Sequence, residues 1–588
     1  MDLFKDFKAT DYAQWEAAVL QELKGEAVDK LRTTTEDGLQ LSPYYTAADL
    51  PAGFAQHLPG DMPYRRGLRA NHNDWVLFER FTLGAAEATN KAVLHALMHG
   101  TEGIIFDGAI TEPQQFGQLT EELLPQYLIL CFRQTDPVPL AGWLKAWADR
   151  LELPTLAIRG SAGYDPLGAA CFGDAIRQLP LGALVKQYQQ NLPAFLPLSA
   201  NAARFREQGA SLVQELGIAL ALGNAYLKRL LEDGLTIDEA TPALQFELAV
   251  GTDYFAEIVK FRAFRQLWSG LVAAYSPEHS CSTAAHVLAS ASGTTLSAID
   301  PHTNLLRLTT AAMSAVLGGV HGLELRAFDE PVNGGSGFGA ELSRNIQLLL
   351  KNEAYLDSVV DPAAGSYYLE SLTDQLSDQA WAFFQSIEAQ GGFEAAWQKG
   401  WLPEQLKKQR EQLTAAVASR KKILVGVNQY PDQQHVDVNS WPSDSFRLSA
   451  DFEALRKQTA AAISRPKVFL LPMGDLAMRL ARATFIANFF SCAGYEIIEN
   501  NGFEHLEEGT QAALRSGAEV VVLCASDTDY PALVPAFCQL LQGKTELVLA
   551  GYPQADIEAF TAAGIQHFIH VRSPLLATLQ AFQNRILS

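Results

Sequence analysis

Residues 466–472 read PKVFLLP and open the part of the sequence that decides the fold. A short apolar run of this kind predicts a parallel strand that is buried on both faces. Four further strands of the same character are predicted downstream, at 495–498, 518–524, 545–550 and 566–571. Helical patterns follow the five strands, at 476–493, 504–516, 532–541, 556–563 and 574–586. Five strand–helix repeats predict a flavodoxin-like, doubly wound parallel sheet.

Upstream of this sheet, strands and helices alternate over a much longer stretch. Strands are predicted at 103–106, 128–131, 155–159, 195–198 and 323–327, and long amphipathic helices at 254–274, 302–317 and 374–388. Alternation over about 350 residues fits a (β/α)₈ barrel with insertions. The sequence therefore predicts an N-terminal arm at 1–35, a barrel at 36–395, a helical connector at 396–464 and a flavodoxin-like domain at 465–588.

Composition excludes several classes of partner. The chain has 66 Asp and Glu against 45 Lys and Arg, a formal net charge of -21. Nucleic acids and anionic membranes reward clustered positive charge, so neither is expected as a partner. The sequence lacks an apolar run of the ~18 residues that span a bilayer, and it lacks a basic start followed by an apolar core. We therefore expect a cytoplasmic protein.

Three local patterns could carry chemistry, but each favours a simpler interpretation. NGGSGFG at 333–339 could cradle a phosphate, but the Lys-Ser/Thr of a phosphate-binding loop does not follow, so a barrel loop is favoured. His95 and His99 have the spacing of a metal pair without a third ligand nearby. Gly551, after the fourth C-terminal strand, allows close backbone approach but is expected to be a plain turn. The six cysteines form no CxxC pair, which favours buried free thiols.

Several segments resemble the methylmalonyl-CoA mutase family, and specifically its small, or beta, subunits. VVDPAAGSYYLE at 359–370 is close to the family's D-P-x-x-G-S-Y-Y block, and it follows a segment, 343–358, similar to the family's R-N-x-Q-L helix. LSPYYTAADL at 41–50 and PYRRG at 63–67 resemble the start of the family's barrel. Further similar segments are 164–168, 246–271, 380–384 and 424–430. The resemblance covers nearly the whole chain in the family's order, and it implies a barrel followed by a cobalamin-type domain.

The first departure from the catalytic type concerns the cofactor. The family's catalytic chains hold adenosylcobalamin through an Asp-x-His-x-x-Gly loop after the first C-terminal strand, and that histidine binds cobalt. Here Gly474 and Asp475 stand at the site of the loop, and the sequence runs directly into a helix. The sequence has no histidine between His435 and His505. The resemblance thus implies that the cobalt ligand is missing and that this chain binds no cofactor and no metal.

The second departure lies in the barrel. Where the catalytic type has a Tyr-His pair, this sequence has Ala203 and Arg204. Ala203 has no phenol to contact a substrate carboxylate, and Arg204 cannot donate a proton near neutral pH. The loop after Asp107 and Gly108 is shortened, and residues 70–75 lack the tyrosine of a catalytic barrel. We therefore expect no catalytic residues in this chain.

Together the resemblance and its departures imply a non-catalytic small subunit of an adenosylcobalamin-dependent methylmalonyl-CoA mutase. That isomerase interconverts methylmalonyl-CoA and succinyl-CoA, the large, or alpha, subunit would carry the cofactor, and this chain would stabilise it in a heterodimer. One alternative is a stand-alone acyl-CoA mutase that works without the histidine. Another is a regulatory homologue whose barrel or sheet holds a different ligand.

Overall fold

The computed structural model describes residues 10–24, 27–50, 57–432, 441 and 446–587. These residues divide into two compact units. The barrel unit comprises described residues within 1–292, 308–327 and 340–409, and the C-terminal unit comprises 293–307, 328–339 and described residues from 410 onward. Among the helices described, none combines the length and apolar character needed to cross a bilayer.

Parallel strands close the barrel unit into a cylinder. A two-stranded hairpin, made of β1 (Thr33–Thr34) and β2 (Gln40–Leu41), precedes the barrel in the chain. The eight barrel strands within the described chain are β3 (Val76–Thr82), β4 (Gly103–Asp107), β5 (Ile129–Arg133), β6 (Arg159–Tyr164), β7 (Phe195–Asn201), β8 (Leu244–Val250), β9 (His286–Ala291) and β10 (Gly322–Glu324). Each pairs with its sequence neighbours, and β10 closes the ring by pairing with both β9 and β3. The predicted (β/α)₈ barrel is confirmed.

Helices connect and surround these strands. In chain order they are α1 (Tyr12–Glu22), α2 (Ala86–Met98), α3 (Pro113–Leu119), α4 (Pro137–Arg150), α5 (Pro166–Cys171), α6 (Leu181–Asn191), α7 (Ala203–Arg206), α8 (Leu212–Glu232), α9 (Ile237–Ala240), α10 (Tyr254–Ala273), α11 (Thr303–Leu317), α12 (Glu330–Asn333), α13 (Gly337–Asn352), α14 (Tyr367–Ala389), α15 (Phe393–Gln398) and α16 (Trp401–Ala418). The predicted helices at 254–274, 302–317 and 374–388 correspond to α10, α11 and α14.

One predicted barrel strand is displaced and three strands were not foreseen. Residues 155–157 form a 3₁₀ turn, so the strand predicted at 155–159 begins only at Arg159. In β6, Gly160 and Gly163 have φ of +146° and +59°, and a Cβ on either would overlap the carbonyl oxygen of the neighbouring strand β5. A strand rich in glycine has weak strand propensity, which explains the shift. The strands β3, β8 and β9 carry charged or small residues and escaped the apolar-run criterion.

The C-terminal unit contains the predicted parallel sheet. Its helices and strands are α17 (Ala450–Ala461), β11 (Lys467–Pro472), α18 (Leu476–Ser491), β12 (Glu496–Ile498), α19 (Leu506–Ser516), β13 (Val520–Cys524), α20 (Tyr530–Leu541), β14 (Glu546–Ala550), α21 (Ile557–Ala563), β15 (His567–Ile569) and α22 (Leu575–Ile586). The strand order is β12-β11-β13-β14-β15, with every pair parallel. Two apolar clusters pack on opposite faces of the sheet, as the period-2 alternation of its buried strands requires. The flavodoxin-like prediction is confirmed.

Candidate functional site

The carboxyl ends of the barrel strands surround a cavity of about 330 Å³. In barrel enzymes this is the face at which active sites are built. Charged side chains dominate its lining: Arg80, Arg133, Arg204, Arg326, Asp107, Asp165, Asp174, Glu207, Glu247 and Glu324. Acidic residues outnumber basic residues by two. We refer to this cavity as the barrel mouth.

Glu247, on β8, has three side-chain partners in the barrel mouth. Its Oε2 lies 2.7 Å from Arg133 Nη2 and accepts from Asn201 Nδ2 at 3.0 Å. Its Oε1 accepts from the Ser199 hydroxyl at 3.1 Å. Burial acts to lower the pKa of Arg133, but the charges of Glu247, Glu324 and Asp107 together outweigh burial and the pKa is raised. The charges of Arg133 and Glu247 therefore neutralise each other.

A second pair crosses from β3 to β10. Arg80 Nε lies 3.4 Å from Glu324 Oε1, and Arg80 Nη1 lies 3.8 Å from Asp107 Oδ2. Burial pushes the pKa of Glu324 upward, yet the charges of Arg80, Arg133 and Arg326 and a hydrogen bond from Ser290 together hold it below its ordinary value. Sequence inspection missed the paired charges of the mouth, although Glu247, at the third position of the run QFELAV (245–250), was a usable signal of an inward polar side chain.

The residues at the expected Tyr-His position lie on α7, directly after β7. Ala203 is buried at 8% exposure and lines the barrel mouth with only a methyl group. Arg204 Nη1 lies 2.5 Å from Asp174 Oδ2, and its guanidinium sits 4.2 Å from the centre of the Phe172 ring. The structure thus places both residues at the mouth, and Arg204 is held by a neighbouring loop rather than free for a ligand.

Asp165 anchors the segment YDPLG at 164–168. Its carboxylate accepts from the backbone N–H of Gly168 at 3.0 Å and of Asn201 at 3.1 Å, and from the Tyr226 hydroxyl at 2.5 Å. Burial raises the pKa of Asp165 to about 6, although these hydrogen bonds oppose the rise. The Gly168 position cannot carry a Cβ, because that atom would overlap the Asp165 carboxylate. This acid therefore ties β6, β7 and α8 together.

A fully buried triad supports the end of β8. Lys260 Nζ lies 3.1 Å from Glu215 Oε2 and 2.5 Å from Glu257 Oε2, and it also donates to the carbonyl of Ala249. Burial raises the pKa of Glu215, with the Lys260 charge acting in the opposite direction. Ala249 itself lines the barrel mouth. Buried charges therefore hold the rim of the barrel mouth in position, and other charges line its cavity.

The second candidate position is the carboxyl edge of the C-terminal sheet. Gly474 has a φ of +72°, and a Cβ there would overlap the Asp529 carboxylate. Asp475 caps α18 by accepting from the Met478 N–H at 2.9 Å. The turn from β11 to α18 is therefore short and internally bonded.

The residues at this edge do not fit the cobalamin that the family resemblance implies. The turn after β11 packs against Asp529, which a Cβ at Gly474 would overlap, and Arg482 bonds to the loop after β13. Arg482 Nη2 lies 2.6 Å from Asp527 Oδ1, and its Nη1 donates to the carbonyl of Ala525. The cobalt-ligand histidine is also missing from this part of the sequence.

The remaining sequence patterns also have structural partners. His99 Nδ1 lies 2.6 Å from the His95 carbonyl oxygen, and the two rings stack with centres 4.2 Å apart. In the Gly-rich segment, the N–H of Ser336 donates to Asp329. The loop amide is thus occupied by the chain's own carboxylate. Within the described ranges, no group of three or more His, Cys, Asp or Glu side chains is arranged to hold a metal.

Comparison with known proteins agrees with the geometry. The profile of the family described as methylmalonyl-CoA mutase matches residues 34–117 and 169–465. The chain is 34% identical to the methylmalonyl-CoA mutase small subunit of Porphyromonas gingivalis, over 99% of this chain and 98% of that protein. It is 31% identical to the small subunit of Streptomyces virginiae, over 96% of each chain. It is 30% identical to the methylmalonyl-CoA mutase of Cereibacter sphaeroides, over 71% of this chain and 64% of that protein.

Proposed function

The chain belongs to the methylmalonyl-CoA mutase family, and we propose that it is a non-catalytic small subunit of that isomerase. In this proposal a large subunit carries adenosylcobalamin and performs the interconversion of methylmalonyl-CoA and succinyl-CoA. This chain associates with the large subunit and stabilises it. The full-length similarity to proteins named small subunits supports the assignment.

The observation that carries the proposal is the pairing of charges in the barrel mouth. Each of its four arginines already has a carboxylate partner: Arg80 with Glu324, Arg133 with Glu247, Arg204 with Asp174, and Arg326 with Glu207. A malonyl-type substrate brings a carboxylate, and it would meet an excess of acidic groups with no cation left to receive it. A further negative charge beside these carboxylates is unfavourable, because like charges repel.

The positions of Ala203 and Arg204 support the same reading. A methyl group offers no hydrogen bond to a substrate, and a guanidinium held by Asp174 and Phe172 cannot act as a proton donor. We therefore expect that the double substitution Ala203→Tyr and Arg204→His will not create mutase activity in the isolated chain. Catalytic groups that act together are grossly non-additive, and the charge pairs of the mouth would remain. Formation of succinyl-CoA by this variant alone would contradict the proposal.

The N-terminal arm is the proposed contact with the large subunit. In α1 the structure buries no residue, and Tyr12 and Leu20 are 41% and 36% exposed. Trp15 and Tyr12 stack on Tyr44, with ring centres 5.0 Å and 6.2 Å apart, so the helix is held by aromatic contacts at its surface. Phe4 and Phe7 are two further aromatic residues of the arm that we propose as anchors, and they lie outside the described residues. Aromatic residues on a weakly held helix are typical of binding hot spots.

Copurification with the large subunit tests this proposal. A permanent heterodimer is expected to bury at least about 1,600 Å² in total. Deletion of residues 1–30 should weaken association while leaving the barrel folded. A folded deletion variant with undiminished affinity would remove the arm from the interface. Failure of the full-length chain to associate at all would overturn the functional assignment.

A further inference from the structure

The carboxyl edge of the C-terminal sheet contains the one place where an open α/β sheet ordinarily holds a ligand. In such sheets the ligand lies in the crevice where the strand order reverses direction. Here the reversal falls between β11 and β13, because β12 extends the sheet on one side and β14 on the other. The crevice is therefore bounded by residues 473–475 and 525–529.

Arg482, on α18, reaches from one side of this crevice to the other. Its Nη1 donates to the carbonyl of Ala525, and its Nη2 lies 2.6 Å from Asp527 Oδ1. The guanidinium carbon lies 5.0 Å from the centre of the Tyr530 ring. The Arg482 side chain is only 15% exposed, whereas its partner Asp527 is 59% exposed, so the guanidinium is shielded from bulk water mainly on the side of Ala525 and Tyr530.

The loop after β14 closes against the same guanidinium. Gly551 has a φ of +140°, and a Cβ at this position would lie 3.1 Å from Arg482 Nη1. The Tyr530 hydroxyl donates to the carbonyl of Ala550 at 2.5 Å and accepts from the Ala525 N–H at 3.3 Å. Arg482 therefore holds the loop after β13, and Tyr530 joins that loop to the loop after β14.

We infer that Arg482 is the residue that excludes ligands from this sheet: it occupies the crevice at the reversal point and fastens the loop on the far side. The missing histidine is then not the only obstacle to a cofactor. Adding a histidine near Gly474 would leave the crevice filled. The inference refines the proposed function by naming the residue that keeps a cofactor off this subunit.

Cys524 is a suitable reporter of the closure. It is the last residue of β13, directly before Ala525, and it is fully buried. Burial raises the pKa of its thiol to about 12, and the Arg482 charge acts in the opposite direction. Loss of that charge would by itself make the thiol less reactive. Faster labelling of Cys524 after removal of Arg482 would therefore report opening rather than electrostatics.

The test is labelling of the isolated full-length chain with N-ethylmaleimide, quantified at each cysteine by peptide mass spectrometry. Arg482→Ala should label Cys524 about tenfold faster or more than the wild type, with Cys492 unchanged. The matched control Arg585→Ala removes an arginine that pairs with Glu546 at the opposite edge of the sheet, and it should behave as wild type.

Two results would overturn the inference. One is a Cys524 rate in Arg482→Ala within about twofold of the wild type. The other is a parallel rise at Cys492, which would show general loosening instead of a local opening. If Arg482→Ala does not fold, Arg482→Lys replaces it, because an ammonium cannot reach the two acceptors as a planar fork does. Wild-type labelling of Cys524 in that variant would equally contradict the inference. The test uses no partner, so it can fail while the subunit assignment stands.

Discussion

The barrel mouth and the carboxyl edge of the C-terminal sheet occupy equivalent positions in their two folds, yet they are closed by different means. At the mouth, arginines and carboxylates pair across strands and leave a cavity of about 330 Å³. At the edge, one arginine bonds to a backbone carbonyl and an aspartate beside a buried tyrosine. The mouth therefore depends on several charge pairs that cross between strands, whereas the edge depends on one arginine that holds a single loop.

The largest expected effect comes from the buried triad beneath the barrel rim. Lys260→Met would remove the ammonium that contacts both Glu215 and Glu257, and leave them fully buried with only Arg206, 3.8 Å from Glu257 Oε1, as a nearby cation. We expect the free energy of unfolding to fall by about 3 to 5 kcal/mol. Chemical denaturation measures this loss.

A matched control comes from the C-terminal unit. Lys457 donates to the carbonyl of Trp441 at 2.9 Å, and no carboxylate partner is recorded for it in the described chain. Lys457→Met should therefore cost about 1 kcal/mol or less. Equal losses for the two variants would show that the barrel does not depend specially on buried charge pairs, and the comparison would break down.

A second effect is the pH dependence set by Asp165. Burial is the main cause that raises the pKa of Asp165 from its ordinary value of 3.8 to about 6. Between these two values the folded chain binds more protons than the unfolded chain at this site. The contribution of Asp165 to the free energy of unfolding therefore falls as pH rises from about 4 to 6, by about 3 kcal/mol at most, and no longer changes above that range. The Asp165→Asn variant should lack this contribution. Identical pH profiles for variant and wild type, measured by thermal unfolding, would contradict the assignment.

The smallest of the three effects concerns the Arg133–Glu247 pair, which is partly reached by water. Glu247→Gln keeps the side-chain shape but leaves Arg133 without its main charge partner. We expect a loss of about 2 kcal/mol, and the added substitution Arg133→Gln should recover part of it. The exposed Glu508, on α19, provides a control whose change to Gln should be nearly neutral. A double variant whose loss is the simple sum of the single losses would show that the pair is not coupled.

Much of the fold follows from the sequence, and much of the barrel mouth does not. The C-terminal strands are uniform apolar runs, so period and length identify them without tertiary information. In contrast, β8 carries Gln245 and Glu247 on one face, because partners from β5 and β7 neutralise or bond them in the barrel. These partners are distant in sequence, so the residues around β8 do not indicate them. Ala203 and Arg204 were identifiable only by resemblance, and their surroundings only from the structure.

Sedimentation velocity of this chain mixed with the large subunit and adenosylcobalamin tests the central claim most directly, with protein and corrinoid absorbance followed together. We expect a heterodimer boundary that carries one corrinoid for each pair of chains, and a boundary of this chain alone that carries none. Corrinoid absorbance travelling with the isolated chain, two corrinoids in each pair, or two separate protein boundaries in the mixture would contradict it.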